Sequence, residues 1–164
     1  MKEVYIIRHA KSSWDNFLVS DMDRPLNERG LKDAPVMAKK IFAKKKNIDL
    51  FISSPAKRAL KTCKVFCKFF GVSKEDIVIV NKLYLASSAN FYDVIADIDD
   101  DLESVAIFSH NPGITEFVNG LVAGVHIYNM PTCAVFAVKT SITRWNDFKE
   151  AEKKFVLFDY PKHT

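Results

Sequence analysis

The sequence predicts an α/β domain built on a mostly parallel sheet. Three observations carry that prediction. Short apolar runs of strand length (Val4-Tyr5-Ile6-Ile7, 48–53, 77–80 and 104–108) alternate with longer segments whose apolar residues recur at helical spacing. The first run is continuously apolar rather than alternating, as suits a central strand buried on both faces. The 164 residues, 48% of them hydrophobic, can build one substantial core, and no linker, repeat or low-complexity tract divides them, so one domain over 1–164 is expected.

Taken in order, the first strand stops at Arg8-His9-Ala10 and gives way to a polar loop, 11–26, with Trp14, Asp21, Asp23, Arg24 and Pro25. A loop of that length without periodicity is more often functional than inert. Asn27 reads as an N-cap, and Leu31, Ala34, Ala38, Ile41 and Phe42 mark the buried stripe of a helix to about Lys46, which Pro35 should kink or restart. After the second strand, Ser54 and Pro55 read as N-cap and first residue of a helix that Gly71 ends. The third strand, 77–80, leads to a helix through Phe91, Val94, Ile95 and Ile98, capped by Ser87 or Ser88. The fourth strand ends in Ser109-His110-Asn111-Pro112-Gly113, with a helix over 114–122. Segments 132–138 and 155–158 complete the pattern as an antiparallel pair at a sheet edge.

Charge and cysteine usage narrow the function. The net charge of +4 comes largely from lysine runs such as Lys39-Lys40 and Lys44-Lys45-Lys46, which read as solvated faces, so no nucleic-acid partner is expected. No apolar run approaches the ~18 residues of a membrane span, and no secretory leader is visible, so no membrane partner is expected and the cytoplasm is the default. Cys63, Cys67 and Cys133 have no metal-ligand spacing and read as buried thiols. The sixth residue after Cys133 is Lys139, not the arginine that a thiol phosphatase loop requires. His126 and His163 lie apart from the candidate site.

In open α/β sheets ligands bind beyond the carboxyl ends of the strands. Arg8 and His9 fall there, as does His110, and Arg58 falls in the first turn of the helix after the second strand. An Arg-His pair at one strand end is unremarkable by itself; recurrence of the same chemistry at later strand ends makes it a candidate site. Arginine's planar fork suits phosphate or carboxylate, and a helix N-terminus already favours an anion. A histidine that is neutral near pH 7 is a usable nucleophile or base.

Together, Arg8-His9-Ala10, Ser53-Ser54-Pro55 through Arg58-Ala59, and Ser109-His110 resemble the histidine phosphatase superfamily. The small size, Asp23-Arg24-Pro25-Leu26 before Glu28-Arg29-Gly30, and Ser109-His110-Asn111-Pro112-Gly113 are most similar to the phosphohistidine phosphatases of the SixA type. The resemblance implies a three-layer α/β/α sandwich of the phosphoglycerate mutase-like kind, no metal or cofactor, and phosphoryl transfer through a phosphohistidine on the enzyme. It implies His9 as nucleophile, Arg8, Arg58 and His110 around the phosphate anion, and Arg24, Asp21 and Ser12 on the substrate side. Larger members that cleave alkyl esters carry a carboxylic acid near the third strand, whereas Lys82-Leu83-Tyr84-Leu85-Ala86-Ser87 has none. The expected substrate is therefore a phosphorylated protein bearing phosphohistidine. The alternatives are a small phosphate compound cleaved with Asp21, Asp23 or Glu116 as displaced acid, and a non-catalytic phosphate-binding or phosphoprotein-binding module.

Overall fold

The computed structural model describes residues 1–162. Its strands are β1 (Lys2–Arg8), β2 (Leu50–Ser53), β3 (Val78–Ile79), β4 (Ser104–Ser109), β5 (Val135–Thr140) and β6 (Lys154–Asp159). Its α-helices are α1 (Glu28–Lys44), α2 (Lys57–Phe70), α3 (Ser88–Ala96) and α4 (Gly113–Asn119). The strands form one sheet in the order β3-β2-β4-β1-β5-β6. Pairings among β1 to β4 are parallel, and β5 runs antiparallel to both its neighbours. This is the phosphoglycerate mutase-like α/β architecture, with β1 central.

Side chains of β1 alternate between two cores, which makes the fold three-layered. Tyr5 and Ile7 pack with Ala34, Ala38 and Ile41 of α1 and Cys63 and Phe66 of α2 on one face. Val4 and Ile6 pack with Phe91 and Ile95 of α3 and Ile114 and Phe117 of α4 on the other. Both faces of the strand are thus buried, which accounts for its unbroken apolar run. All three cysteines are buried and reduced.

Several local expectations are corrected. The buried stripe of α1 is Gly30, Ala34, Met37, Ala38 and Ile41, while Leu31 faces solvent, because Gly30 seats the helix against the backbone of Lys11. The helix runs unbroken through Pro35 and ends at Lys44. Ser54 is not the cap of α2: Ala56 holds that position, and the Ser54 side chain is used elsewhere. Helix α4 stops at Asn119, before the Gly120 at its C-cap. Asn27 does cap α1 by accepting the Gly30 N–H at 2.9 Å, and Ser87 and Asn90 form a reciprocal capping box on α3. Gly71 ends α2 in the left-handed conformation, φ 69°. His163 lies outside the described residues.

Candidate active site

Sheet register builds the site. Arg8, the last residue of β1, pairs with Ser109, the last of β4, so the residues that follow, His9 and His110, emerge side by side. Their ring centroids are 5.2 Å apart. Ser53 of β2 pairs with Phe108 of β4, which brings Ser54 and the start of α2 to the same end. Backbone bonds fix the turn after β1: the His9 N–H donates to Ser109 O, and the Cys133 N–H donates to the His9 carbonyl from a left-handed backbone, φ 61°. The Ala10 N–H donates to Thr62 Oγ1, whose hydroxyl donates to the Arg58 carbonyl.

Arg8, His9, Ser12, Asp21, Arg24, Arg58 and His110 all line one cavity of about 250 Å³, with Lys11, Trp14, Leu85, Asn111 and Thr132. The seven residues singled out by sequence are therefore brought together. Two larger clefts elsewhere, of about 420 and 540 Å³, are lined by neither histidine nor arginine. Glu116 and Asp23 are not on the cavity wall.

The hydrogen-bond pattern fixes the tautomer of His9. His9 Nδ1 lies 2.7 Å from the Ala10 carbonyl oxygen. A carbonyl only accepts, so Nδ1 carries the proton and Nε2 keeps its lone pair. His110 Nε2 lies 2.7 Å from Ser54 Oγ, which also accepts the Ala56 N–H. A hydroxyl donates as well as accepts, so Ser54 Oγ can pair with His110 Nε2 in either tautomer. Burial first, then the charges of His110, Arg8 and Arg58, push His9 down to about 3 despite the Ala10 bond, and burial and Arg58 push His110 down to about 3. Both rings are neutral near pH 7.

Arg8 Nε, Arg58 Nε and His110 Nδ1 are buried and bond to no protein atom. Leaving buried polar groups unmet is costly, and the three residues line one cavity with two guanidinium charges, which suits an anion. Burial and the neighbouring Arg58 charge also lower the pKa of Arg8, a like-charge strain that an anion would relieve. The remaining valences hold the guanidinium groups in place. Arg8 Nη1 donates to Met130 O at 2.7 Å, and Arg58 donates to the Asp21 carbonyl at 2.6 Å and its carboxylate at 3.1 Å. Among the described residues, no group of three or more His, Cys, Asp or Glu side chains is arranged to hold a metal ion.

Arg24 and Asp21 organise the loop over the cavity. Arg24 donates to Ser12 Oγ at 2.7 Å and to the Asp21 carboxylate at 3.1 Å, and its guanidinium lies 3.5 Å from the centre of the Trp14 ring. The Tyr84 hydroxyl donates to the same carboxylate at 2.5 Å. The Tyr84 bond above all, with Arg24 and Arg58, holds Asp21 down to about 2 although burial opposes it. Sequence reasoning missed Ser54, Thr62, Tyr84 and Leu85 as members of the site. The one signal for Tyr84 and Leu85 was their place after the third strand, where a carboxylic acid was sought.

Two histidines and two arginines thus share one cavity at the carboxyl end of this sheet. The family model for the histidine phosphatase superfamily (branch 1) matches residues 4–83. That segment is just under half of the chain. A crystal structure assigned to the phosphohistidine phosphatase SixA from Agrobacterium tumefaciens is 25% identical, covers 98% of each chain and superposes with a TM-score of 0.81. The protein histidine phosphatase SixA in complex with tungstate is 22% identical, covers 97% of each chain and has a TM-score of 0.77. An uncharacterized chloroplastic protein of Arabidopsis thaliana is 23% identical across 89% of this chain and 70% of its own length. A 2,3-bisphosphoglycerate-dependent phosphoglycerate mutase of Haemophilus influenzae is 35% identical, but over 38% of this chain and 29% of the mutase.

Proposed function

We propose that the protein is a phosphatase that removes the phosphoryl group from phosphohistidine in a protein, through a phosphoryl intermediate on His9 Nε2. The observation that carries this reading is the fixed tautomer of His9 in a cavity it shares with Arg8, Arg58 and His110, where the Nε–H groups of both arginines have no partner. In the first step the Nε2 lone pair attacks phosphorus, and the bond from phosphorus to the substrate's imidazole nitrogen breaks. That nitrogen takes its proton from solvent. In the second step water attacks phosphorus, the bond to Nε2 breaks, inorganic phosphate leaves, and the water proton passes to solvent. Arg8 and Arg58 neutralise the transferring oxygens throughout, with the His110 ring beside them, which is most of what phosphoryl transfer asks of a protein. In this reading no metal ion takes part, and turnover persists in excess EDTA.

The lack of a proton donor favours phosphohistidine over alkyl esters. Asp21 is ionised and held by three partners, so it has no proton to give at neutral pH. Glu116 and Asp23 do not reach the cavity wall. His110 is neutral, because burial and the Arg58 charge outweigh the upward pull of Asp21. General-acid help is typically worth ~10²–10⁴-fold, so kcat/KM for phosphoserine should fall below phosphohistidine and aryl phosphates by about that factor. The experiment is a kcat/KM series against leaving-group basicity, on wild type and Asp21→Asn. A flat series in the wild type that steepens in Asp21→Asn would transfer the assignment to a general phosphomonoesterase. No turnover of any phosphate compound would leave a binding module.

A further inference from the structure

We infer that the outer face of α2, with the cleft between α1 and α2, docks an acidic amphipathic helix of a partner protein. The surface shares no residue with the cavity described above, and docking there does not depend on the function proposed for that cavity. Helix α2, KRALKTCKVFCKFF, contains no acidic residue, and its four exposed side chains are all lysines: Lys57, Lys61, Lys64 and Lys68. Steps of three and four residues put them on one row of the helix, about 16 Å from end to end. Among the described residues, none of the four takes part in a salt bridge. Glu75, on the turn beyond α2, feels the Lys64 charge but is hydrogen-bonded to Ser73 instead.

Such a row is costly to the free protein. Opposite charges three or four residues apart support a helix, and like charges at the same spacing destabilise it. Lys57 adds to the cost, because it stands in the first turn, where the helix dipole disfavours a cation; only Lys68, in the last turn, is favoured by it. Charges that the chain leaves uncompensated are met by carboxylates from outside it.

The row also borders an apolar recess. Lys61, Lys64 and Lys68 line a cleft of about 540 Å³ together with Val65 and Phe69 of α2 and Pro35 of α1. Leu31 stands one turn before Pro35 on the same row of α1 and is 51% exposed, so apolar surface continues along that helix. The two helices are in contact, Phe42 of α1 meeting Phe70 of α2 edge to face at 5.2 Å. A packed pair of this kind leaves a groove into which the side chains of a third helix fit.

Shape and charge together choose the occupant. Pro35, Val65 and Phe69 are half-buried while the lysines beside them are exposed, so the apolar part is recessed. Insertion into a lipid surface needs apolar side chains that protrude. A nucleic-acid backbone would neutralise the lysines but put nothing apolar into the cleft. A helix with carboxylates at the same three- and four-residue steps, and leucine or phenylalanine on the adjoining row, meets both features at once.

The probe is a designed, fluorescein-labelled helical peptide with glutamates at those steps and leucines on the adjoining row. Controls are a scrambled peptide of identical composition, vesicles containing phosphatidylserine, and a single-stranded oligonucleotide. Fluorescence anisotropy at low salt should give a Kd for the patterned peptide at least tenfold below that of the scramble. The triple variant Lys61→Gln, Lys64→Gln, Lys68→Gln should weaken the patterned peptide about tenfold or more. Val65→Thr, which keeps the side chain's shape and adds a hydroxyl, should weaken it about threefold or more. Glutamine matches lysine in helix propensity, so the triple variant should also unfold at higher urea than the wild type. A lower urea midpoint overturns the uncompensated repulsion on which the inference stands. Equal Kd values for patterned and scrambled peptides overturn the docking site, as do variants that bind the patterned peptide like the wild type. Vesicles or oligonucleotide bound more tightly than the patterned peptide, and released by the triple variant, assign the row to a membrane or a nucleic acid and overturn it too.

Discussion

Two neutral, buried histidines should make the protein sensitive to mild acid. His9 and His110 are each held at about 3 in the fold, whereas the unfolded chain restores about 6.5. Between those values the unfolded state binds more protons than the folded one, so stability falls as pH drops below about 6.5. From pH 7 to pH 5 the linkage relation gives about 2 kcal/mol for each ring, or about 4 kcal/mol together, against a typical domain stability of ~5–15 kcal/mol. Asp21 contributes nothing in this window, since its stabilisation is lost only as pH falls from 3.8 toward about 2. The assay is urea unfolding at pH values from 7.5 to 5. His9→Gln and His110→Asn should each remove about half of the drop, and saturating phosphate, whose charge favours protonated rings, should flatten it further. A stability that is level between pH 7 and pH 5 in the wild type would refute the buried, neutral assignment of both rings.

Two other perturbations test the architecture. Arg58→Lys keeps a positive charge but loses the fork that holds Asp21 and the free Nε, so kcat/KM should fall by ~10²-fold, the scale of losing one transition-state donor; a loss below threefold contradicts its role. Gly30→Ala drives a Cβ into the carbonyl oxygen of Lys11, two residues beyond His9. Helix propensity favours alanine by about 1 kcal/mol, but overpacking against backbone costs ~1–3 kcal/mol, so both urea midpoint and activity should fall; a stabilised, fully active variant would contradict the close approach.

The layers of the fold were legible because β1 is apolar at consecutive positions and the helices carry apolar residues at helical spacing. What failed was rotational detail. Leu31 is as hydrophobic as its neighbours, and only the contact of Gly30 with Lys11 turns it outward. The clustering of His9, His110 and Arg58 was legible because parallel strands deliver their ends to one edge. The partners that orient them were not. Ser54 looked like a helix cap because Ser-Pro is a common helix start, yet its hydroxyl goes to His110. Tyr84 went unseen because its bond to Asp21 spans 63 residues of chain, which no local pattern encodes.

The most direct measurement of the central claim is chemical trapping of the phosphoryl group on His9. Wild-type protein mixed with a phosphoryl donor and quenched in alkali should carry one acid-labile phosphoryl group, and fragmentation of the peptide containing Arg8-His9-Ala10 should place it on the His9 ring, at Nε2. His9→Ala should carry none and lose turnover. Normal turnover by His9→Ala, or a phosphoryl group on His110 instead, would contradict the account.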